Sequence, residues 1–167
     1  MTIRPALDAD WPRMFAIFRA VVAPGTTYIF AAETSSDDAR GYWLGAGIAA
    51  WVAEDTDGRI VGMYKMIANR RDRGSHVANA SFMVDPACQS RRIGETLGWH
   101  CLREAKRAGY LAMQFNFVVS TNAAAVGLWR KLGFGIVGTV PRAFRHADLG
   151  LVDAYVMHRF LDDITLE

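Results

Sequence analysis

One segment of the sequence joins a strand-like run directly to a helix-like run. Pro86 follows the apolar run that ends at Val84, and helical periodicity begins at Ile93. The first N–H groups of a helix lack intrahelical partners, and the helix dipole favours negative charge there. The main-chain donors of residues 89–95 are therefore candidate ligands for a pyrophosphate. Many strand-to-helix turns bind nothing, so this pattern alone does not name a ligand.

Two amides interrupt strands that are otherwise apolar, and they are candidate substrate ligands. Asn79 lies before Phe82, and Asn116 lies between two phenylalanines. Strand alternation places Asn79 with Ser81 on one face, and Gln114 with Asn116 on one face of the next strand. Because buried amides need hydrogen-bond partners, they either satisfy local main-chain groups or bind a small polar ligand.

The histidines and cysteines offer few further candidates. His76, at the start of a predicted strand, is a candidate general base, and the alternative is a histidine at a strand edge. His100 shares a helix face with apolar residues, so we expect it to pack. The remaining histidines are too scattered to form a metal site with Cys88 or Cys101, and we expect no metal.

Composition excludes several classes of protein. The chain has 167 residues, 51% apolar and 22% charged, with a net charge of +2, which predicts one domain over 1–167 and neither a nucleic-acid nor a membrane partner. We read both cysteines as reduced thiols. The first ten residues lack the apolar region of a signal peptide, and no apolar run reaches the length of a membrane-spanning helix. We expect a cytoplasmic location.

The elements that must position these residues follow the order β-α-α-β-β-β-α-β-α-β-β. Asp8 or Asp10 precedes a helix that runs to about Val22, and Ser35 or Ser36 starts a second one. Two later helices are predicted at 93–108 and from Asn122 to about Leu132. The predicted strands are 2–6, 48–54, 60–68, 76–84, 110–119, 135–140 and 151–160. This order indicates an α/β fold with layers around a mixed sheet.

Two blocks in this order resemble the signatures of the GNAT acetyltransferase superfamily. In the first block, a strand ending in Val-x-Pro is followed by the residues Gln89, Ile93 and Gly94. The second block contains Asn122, Ala125, Leu128, Trp129, Leu132, Gly133 and Phe134. With the strand order around them, the blocks cover nearly the whole chain, and together they are specific.

The resemblance implies α/β/α layers around a mixed, mostly antiparallel sheet splayed between the fourth and fifth strands. It also implies an N-acyltransferase with acetyl-coenzyme A as cosubstrate. The pyrophosphate would bind to residues Gln89, Ser90, Arg91, Arg92, Ile93, Gly94 and Glu95. The pantetheine arm would bind to Phe82, Met83, Val84 and Asn122. An alternative or additional role of Asn122 is to cap the following helix. Ser90 and Arg92 replace glycines usual in the family.

Acyl transfer to an amine requires a neutral amine and donors for an oxyanion. Carried over from the family, the donors are the amides of Met83 and Val84. Trp129 stands where many relatives have a tyrosine that protonates the thiolate, and it would line the acyl channel. Indole cannot act as that acid, so water or one of the tyrosines Tyr28, Tyr110 and Tyr155 would replace it. The general base stays unassigned, with a water chain as one candidate.

Three features resemble N-acetyltransferases of proline-like imino acids such as azetidine-2-carboxylate: the pair Asn79 and Asn116, the segment 115–122, and Leu128-Trp129. This similarity implies a small-molecule amine as substrate. The loop 26–34, with Tyr28 and Glu33, is expected to form a wall of the acceptor site. Two alternatives stay open, a protein N-terminal or lysine acetyltransferase and a non-catalytic sensor of acyl-coenzyme A. Many relatives form dimers, and the sequence does not decide between a monomer and a homodimer.

Overall fold

The computed structural model describes residues 1–88 and 92–166. Its seven strands are β1 (Thr2–Pro5), β2 (Ala49–Glu54), β3 (Ile60–Ala68), β4 (Val77–Val84), β5 (Ala112–Val119), β6 (Gly135–His146) and β7 (Gly150–Phe160). Its four α-helices are α1 (Trp11–Val22), α2 (Ser36–Leu44), α3 (Ile93–Arg107) and α4 (Ala123–Lys131). Among the described residues, no helix combines the length and the apolar character needed to cross a membrane.

The strands form a single mixed sheet in the order β1-β2-β3-β4-β5-β7-β6. Every neighbouring pair is antiparallel except β4 with β5, which run parallel. That parallel pair is short, because it holds only Val77 opposite Ala112 and Ala78 opposite Met113. Both strands continue beyond these pairs, to Val84 and Val119. The predicted mixed, mostly antiparallel sheet with a splay between its fourth and fifth strands is confirmed.

Two apolar cores cover the two faces of this sheet. On one face, α1 and α2 bury Phe18 and Trp43 against Met63 and Met83 of β3 and β4. On the other face lie α3 and α4, whose buried core residues include Leu97, Trp129 and Leu132, with Tyr64 and Phe115 from the sheet. Alternating residues of each central strand enter different cores because successive side chains of a strand point to opposite faces.

Local sequence signals explain three of the helix boundaries. The Ser35 hydroxyl accepts a hydrogen bond from the Asp38 N–H at 3.1 Å and caps α2. Asn122 caps α4 in the same way, through the Ala125 N–H. Gly109 follows α3 with a φ of +86°, in the left-handed conformation common after a helix.

The predicted end of the sixth strand at residue 140 is wrong. Strand β6 continues through Pro141 to His146, because a bulge shifts the register between Val140 and Phe144. Arg142 lies in this bulge with a φ of +51°, and its N–H donates to the Asp153 carboxylate at 2.9 Å. Proline is compatible with a strand at such an irregularity, since no ladder hydrogen bond is required of it there. The longer hairpin reaches the loop after α1, where the Ala147 N–H donates to the Gly25 carbonyl.

Candidate active site

The separation of β4 from β5 opens a cavity of about 190 Å³. Five segments of the chain line it: the loop after α1, helix α2, strand β4, strand β5, and helix α4 with its cap. The lining residues are Thr27, Tyr28, Ile29, Tyr42, Asn79, Ala80, Ser81, Phe82, Phe115, Asn116, Phe117, Val118, Val119, Asn122, Ala125 and Trp129. None of these lining residues is an aspartate, glutamate, histidine, lysine or arginine. The cavity therefore offers polar groups but no side chain that would serve as a strong base.

The antiparallel register decides which main-chain groups of β4 face this opening. The Asp85 N–H donates to the Val61 carbonyl of β3, and the register continues with Met83 opposite Met63. In an antiparallel ladder, alternate residues bond to the same neighbour, so the Met83 amide is directed to β3. The amides of Phe82 and Val84 are directed to the splay instead. Of the two predicted oxyanion donors, Val84 is thus the one whose N–H faces the opening.

The Tyr28 hydroxyl forms hydrogen bonds with both main-chain groups of Phe82. Its hydroxyl donates to the Phe82 carbonyl at 2.5 Å and accepts from the Phe82 N–H at 3.1 Å. Burial raises the pKa of Tyr28 well above its ordinary value, so its hydroxyl stays protonated. This contact holds the loop after α1 against the exposed side of β4. Of the three tyrosines proposed as proton donors, Tyr28 is the one among the lining residues.

The predicted anion-binding junction begins with a tightly held carboxylate. Asp85 directly follows β4, is 6% exposed, and accepts hydrogen bonds from Arg13 and from Arg59. It also accepts from the Ala87 N–H at 2.9 Å, which fixes the start of the turn. Burial alone would raise the pKa of Asp85, but these hydrogen bonds hold it below its usual range. The predicted ligands Gln89, Ser90 and Arg91 lie outside the described residues.

The far side of the junction is the first turn of α3, which contains Ile93, Gly94 and Glu95. The Thr96 N–H is bonded to the Arg92 carbonyl, as expected where the helix starts. Among the described residues this is the first intrahelical bond, so the N–H groups of the three residues before Thr96 are candidate ligands for an anion. A Cβ at Gly94 would lie 3.3 Å from the Leu128 side chain, so this glycine lets α3 approach α4.

Arg92 precedes α3 with a φ of +57°, a conformation that favours glycine. We expect Arg92→Gly to be about 1 kcal/mol more stable to unfolding than Arg92→Ala, because both lose the guanidinium but only glycine relieves the backbone strain. Urea unfolding of both variants measures the difference. Equal free energies of unfolding would show that this backbone conformation is not strained.

The acceptor-side amides form a short chain of hydrogen bonds on β5. The Gln114 amide donates to the Asn116 carbonyl oxygen at 2.9 Å, and the Asn116 amide donates to Asn69 at 2.6 Å. A bulge in β5 places both Asn116 and Phe117 opposite the single residue Val156 of β7. Bulges redirect side chains, and here Asn116 and Phe117 both line the cavity. Asn79 lines it as well, from β4.

Asn122 and Trp129 lie where α4 meets the cavity. The Asn122 side-chain oxygen caps α4, which leaves its NH₂ group for a second hydrogen bond. Trp129 is 8% exposed and packs on Phe82 and Phe115, with ring centroids 4.8 Å and 4.6 Å away. Both residues are therefore placed to contact a ligand in the splay, and Trp129 also belongs to the core.

The structure does not bring His76 and Glu33 to the cavity. His76 is exposed in the turn before β4, next to the short β4–β5 pairing, and Glu33 is exposed before α2. Neither is a lining residue. His100 is bonded to the buried Tyr64 hydroxyl, with 2.8 Å between Nδ1 and the oxygen.

Sequence reasoning missed Tyr42 and Lys65 at this site, and it included Thr27 only as part of the loop 26–34. Thr27 Oγ1 is buried in the cavity wall without a hydrogen-bond partner among the described residues. The Tyr42 hydroxyl is 2.6 Å from the Ser81 hydroxyl, and the Lys65 ammonium lies over the Tyr42 ring at 3.3 Å. The sequence did contain a signal for Lys65, because it is the one charged residue of the apolar segment Ile60–Ala68.

Comparison with known sequences gives a family and two relatives. The profile of the acetyltransferase (GNAT) family matches residues 11–134. The L-methionine sulfoximine/L-methionine sulfone acetyltransferase of Pseudomonas paraeruginosa is 33% identical over 153 residues, which cover 84% of this chain and 84% of that protein. The N-acetyltransferase aca1 of Schizosaccharomyces pombe is 35% identical over 98 residues, which cover 58% of this chain. Those residues span about half of the yeast protein, 47% of its length.

Solved structures share the whole fold. A GCN5-related N-acetyltransferase from Kribbella flavida has a TM-score of 0.90 and 44% identity, covering 95% of this chain and 96% of that one. A putative acetyltransferase from Salmonella typhimurium, solved with its cofactor acetyl-CoA, has a TM-score of 0.81 and 26% identity. The structural alignment covers 99% of this chain and 96% of the Salmonella chain.

Proposed function

The chain belongs to the acetyltransferase (GNAT) family, and on this premise we propose that it acetylates the amine of a free amino or imino acid with acetyl-coenzyme A as donor. The observation that carries the proposal is the cavity between β4 and β5. It is small, about 190 Å³, and asparagines from both strands line it. A cavity of this size suits a small acceptor, and neutral amides suit a zwitterion better than a polyamine.

The described residues fit the donor at two places. The Val84 main-chain groups face the splay, and Gly94 in the first turn of α3 lies beside the Val84 side chain. Acetyl-coenzyme A supplies an activated thioester when it is bound. The chain contributes main-chain hydrogen bonds from β4 and α3, and the Asn122 NH₂ group adds another donor. The packed rings of Trp129 and Phe82 would exclude water from this part of the cavity.

The Val84 N–H is our candidate oxyanion donor. A fixed main-chain dipole stabilises developing charge without reorganising, which is the largest single contribution in many acyl transfers. Tyr28 is not the acid that protonates the leaving thiolate, because its single O–H proton already donates to the Phe82 carbonyl. A coenzyme thiol has a pKa near 8.5, whereas burial raises that of Tyr28 far above it, so complete proton transfer would be uphill.

The acceptor amine must lose a proton before it attacks. No lining side chain is a carboxylate or an imidazole, so we propose that water bound to Asn79 and Ser81 carries the proton out of the cavity. Asn116 and Asn79 would hold the acceptor from opposite sides of the splay. The relative that is named for amino-acid analogues, methionine sulfoximine and methionine sulfone, supports an acceptor of this class.

Release of free coenzyme A, followed with a thiol reagent, tests this function. The acceptors are azetidine-2-carboxylate, proline, methionine sulfone, a peptide with a free N-terminus and a peptide with an internal lysine. We expect a small amino or imino acid to have the highest kcat/KM. Faster turnover of either peptide would favour a protein acetyltransferase, and binding of acetyl-coenzyme A without turnover of any amine would favour a sensor.

A further inference from the structure

Lys65 is a buried cation with no anionic partner among the described residues. It lies in the middle of β3 and is 7% exposed. Burial lowers its pKa to about 8, and no neighbouring charge raises it. The side chain is therefore still mostly protonated at pH 7, although it has lost much of its hydration. A desolvated charge without a partner is unfavourable, so an anion beside it would be stabilised strongly.

The contacts of Lys65 place its charge directly behind the acceptor wall. Lys65 is opposite Ser81 in the β3–β4 register, and directly opposite residues of an antiparallel pair share one face. Its ammonium lies over the Tyr42 ring at 3.3 Å, a cation–π contact that offsets part of the lost hydration. Tyr42 and Ser81, joined by their hydroxyls at 2.6 Å, both line the cavity. Asn79 lines it from the same face of β4.

We propose that Lys65 determines specificity by favouring acceptors that carry a carboxylate next to the reacting amine. This inference rests on the proposed function and names the feature of the acceptor that the cavity selects. The wall facing Lys65 presents the Tyr42–Ser81 pair, which has one hydroxyl proton left to donate, and the Asn79 amide. Both can donate hydrogen bonds to a carboxylate, and Lys65 adds a positive charge behind them. At a separation of several ångströms in a partly dry site, such a charge changes carboxylate binding roughly tenfold. The same charge repels an acceptor with a second cation.

Two variants and two matched acceptors test this role. Lys65→Met removes the charge with little change of volume, and Lys65→Arg keeps it. The acceptors are proline and prolinamide, which share the amine and differ in the carboxylate. For each acceptor, the ratio of variant to wild-type kcat/KM cancels the intrinsic reactivity of its amine. We expect Lys65→Met to lower kcat/KM roughly tenfold for proline and less than twofold for prolinamide. We expect Lys65→Arg to retain most of the preference for proline over prolinamide.

Each other result contradicts a specific statement. Equal losses with both acceptors would show that Lys65 is structural, and unchanged kinetics would show that its charge does not reach the acceptor. A Lys65→Arg variant with the melting temperature of the wild type and the same loss as Lys65→Met would also overturn the role of charge. If the wild-type protein acetylates neither acceptor nor any other amino acid, the proposed function itself fails, and this inference fails with it.

Discussion

Replacing Val84 with proline is expected to lower kcat by about 10²–10³-fold while the protein stays folded. Proline removes the one N–H that we propose as the oxyanion donor. That N–H is directed to the splay and not to β3, so the substitution breaks no hydrogen bond of the sheet. Steady-state kinetics with a saturating acceptor measures kcat, and thermal unfolding of the same preparation tests whether the variant is folded.

Val84→Ala is the matched control, because it shortens the side chain and keeps the amide. We expect its kcat to stay within a few-fold of the wild type. Met83→Pro provides the opposite comparison, since it removes an N–H that the register assigns to β3 and should mainly destabilise the fold. A folded Val84→Pro variant with wild-type kcat would eliminate the Val84 amide as the oxyanion donor.

Asn116→Ala is expected to lower kcat/KM for the amino-acid acceptor by about 10–100-fold, the usual cost of losing a hydrogen bond to a charged group. Asn116 is fixed on both sides, by Gln114 and by Asn69, and its amide lines the cavity on the β5 side. Because the predicted coenzyme contacts lie on β4, α3 and α4, the Kd for acetyl-coenzyme A should not change. Isothermal titration measures that Kd.

The control for this variant is Gln114→Met. Gln114 supports Asn116 but does not line the cavity, and its replacement leaves the bond between Asn116 and Asn69 in place. We expect less than a threefold loss in kcat/KM. A Gln114→Met variant as impaired as Asn116→Ala would assign the effect to the hydrogen-bond chain as a structural unit, and wild-type kinetics in Asn116→Ala would remove the residue from the acceptor site.

Local signals made most of the fold predictable. Each strand and helix is present in the predicted order, and Ser35 and Asn122 cap helices as their side-chain chemistry predicts. The main error, the end of β6, occurred at a proline, because the sequence does not show that a bulge allows the strand to continue past it. The sequence also could not show that the Val84 amide faces the splay while the Met83 amide faces β3, since this depends on the register with β3.

Residues of the candidate site could be predicted where a polar side chain interrupts an apolar strand. Asn79 and Asn116 are polar in apolar segments, and both line the cavity. Lys65 is just as unusual within its segment, but its relation to the site required knowing that α2 packs on β3 and places Tyr42 beside it. His76 and Glu33 failed to reach the cavity although each is close in the sequence to residues that do.

The sequence by itself determined the order of elements, the strand–turn–helix junction before Ile93 and the polar positions of β4 and β5, because these follow from periodicity, capping and proline chemistry within short windows. Tertiary structure alone decided where the predicted splay begins, after Ala78 and Met113. It also decided the pairing of Tyr28 with Phe82 and the position of Lys65 behind the acceptor wall. These features join residues that are far apart in the chain, and such contacts are selected by the packing of helices on both sheet faces.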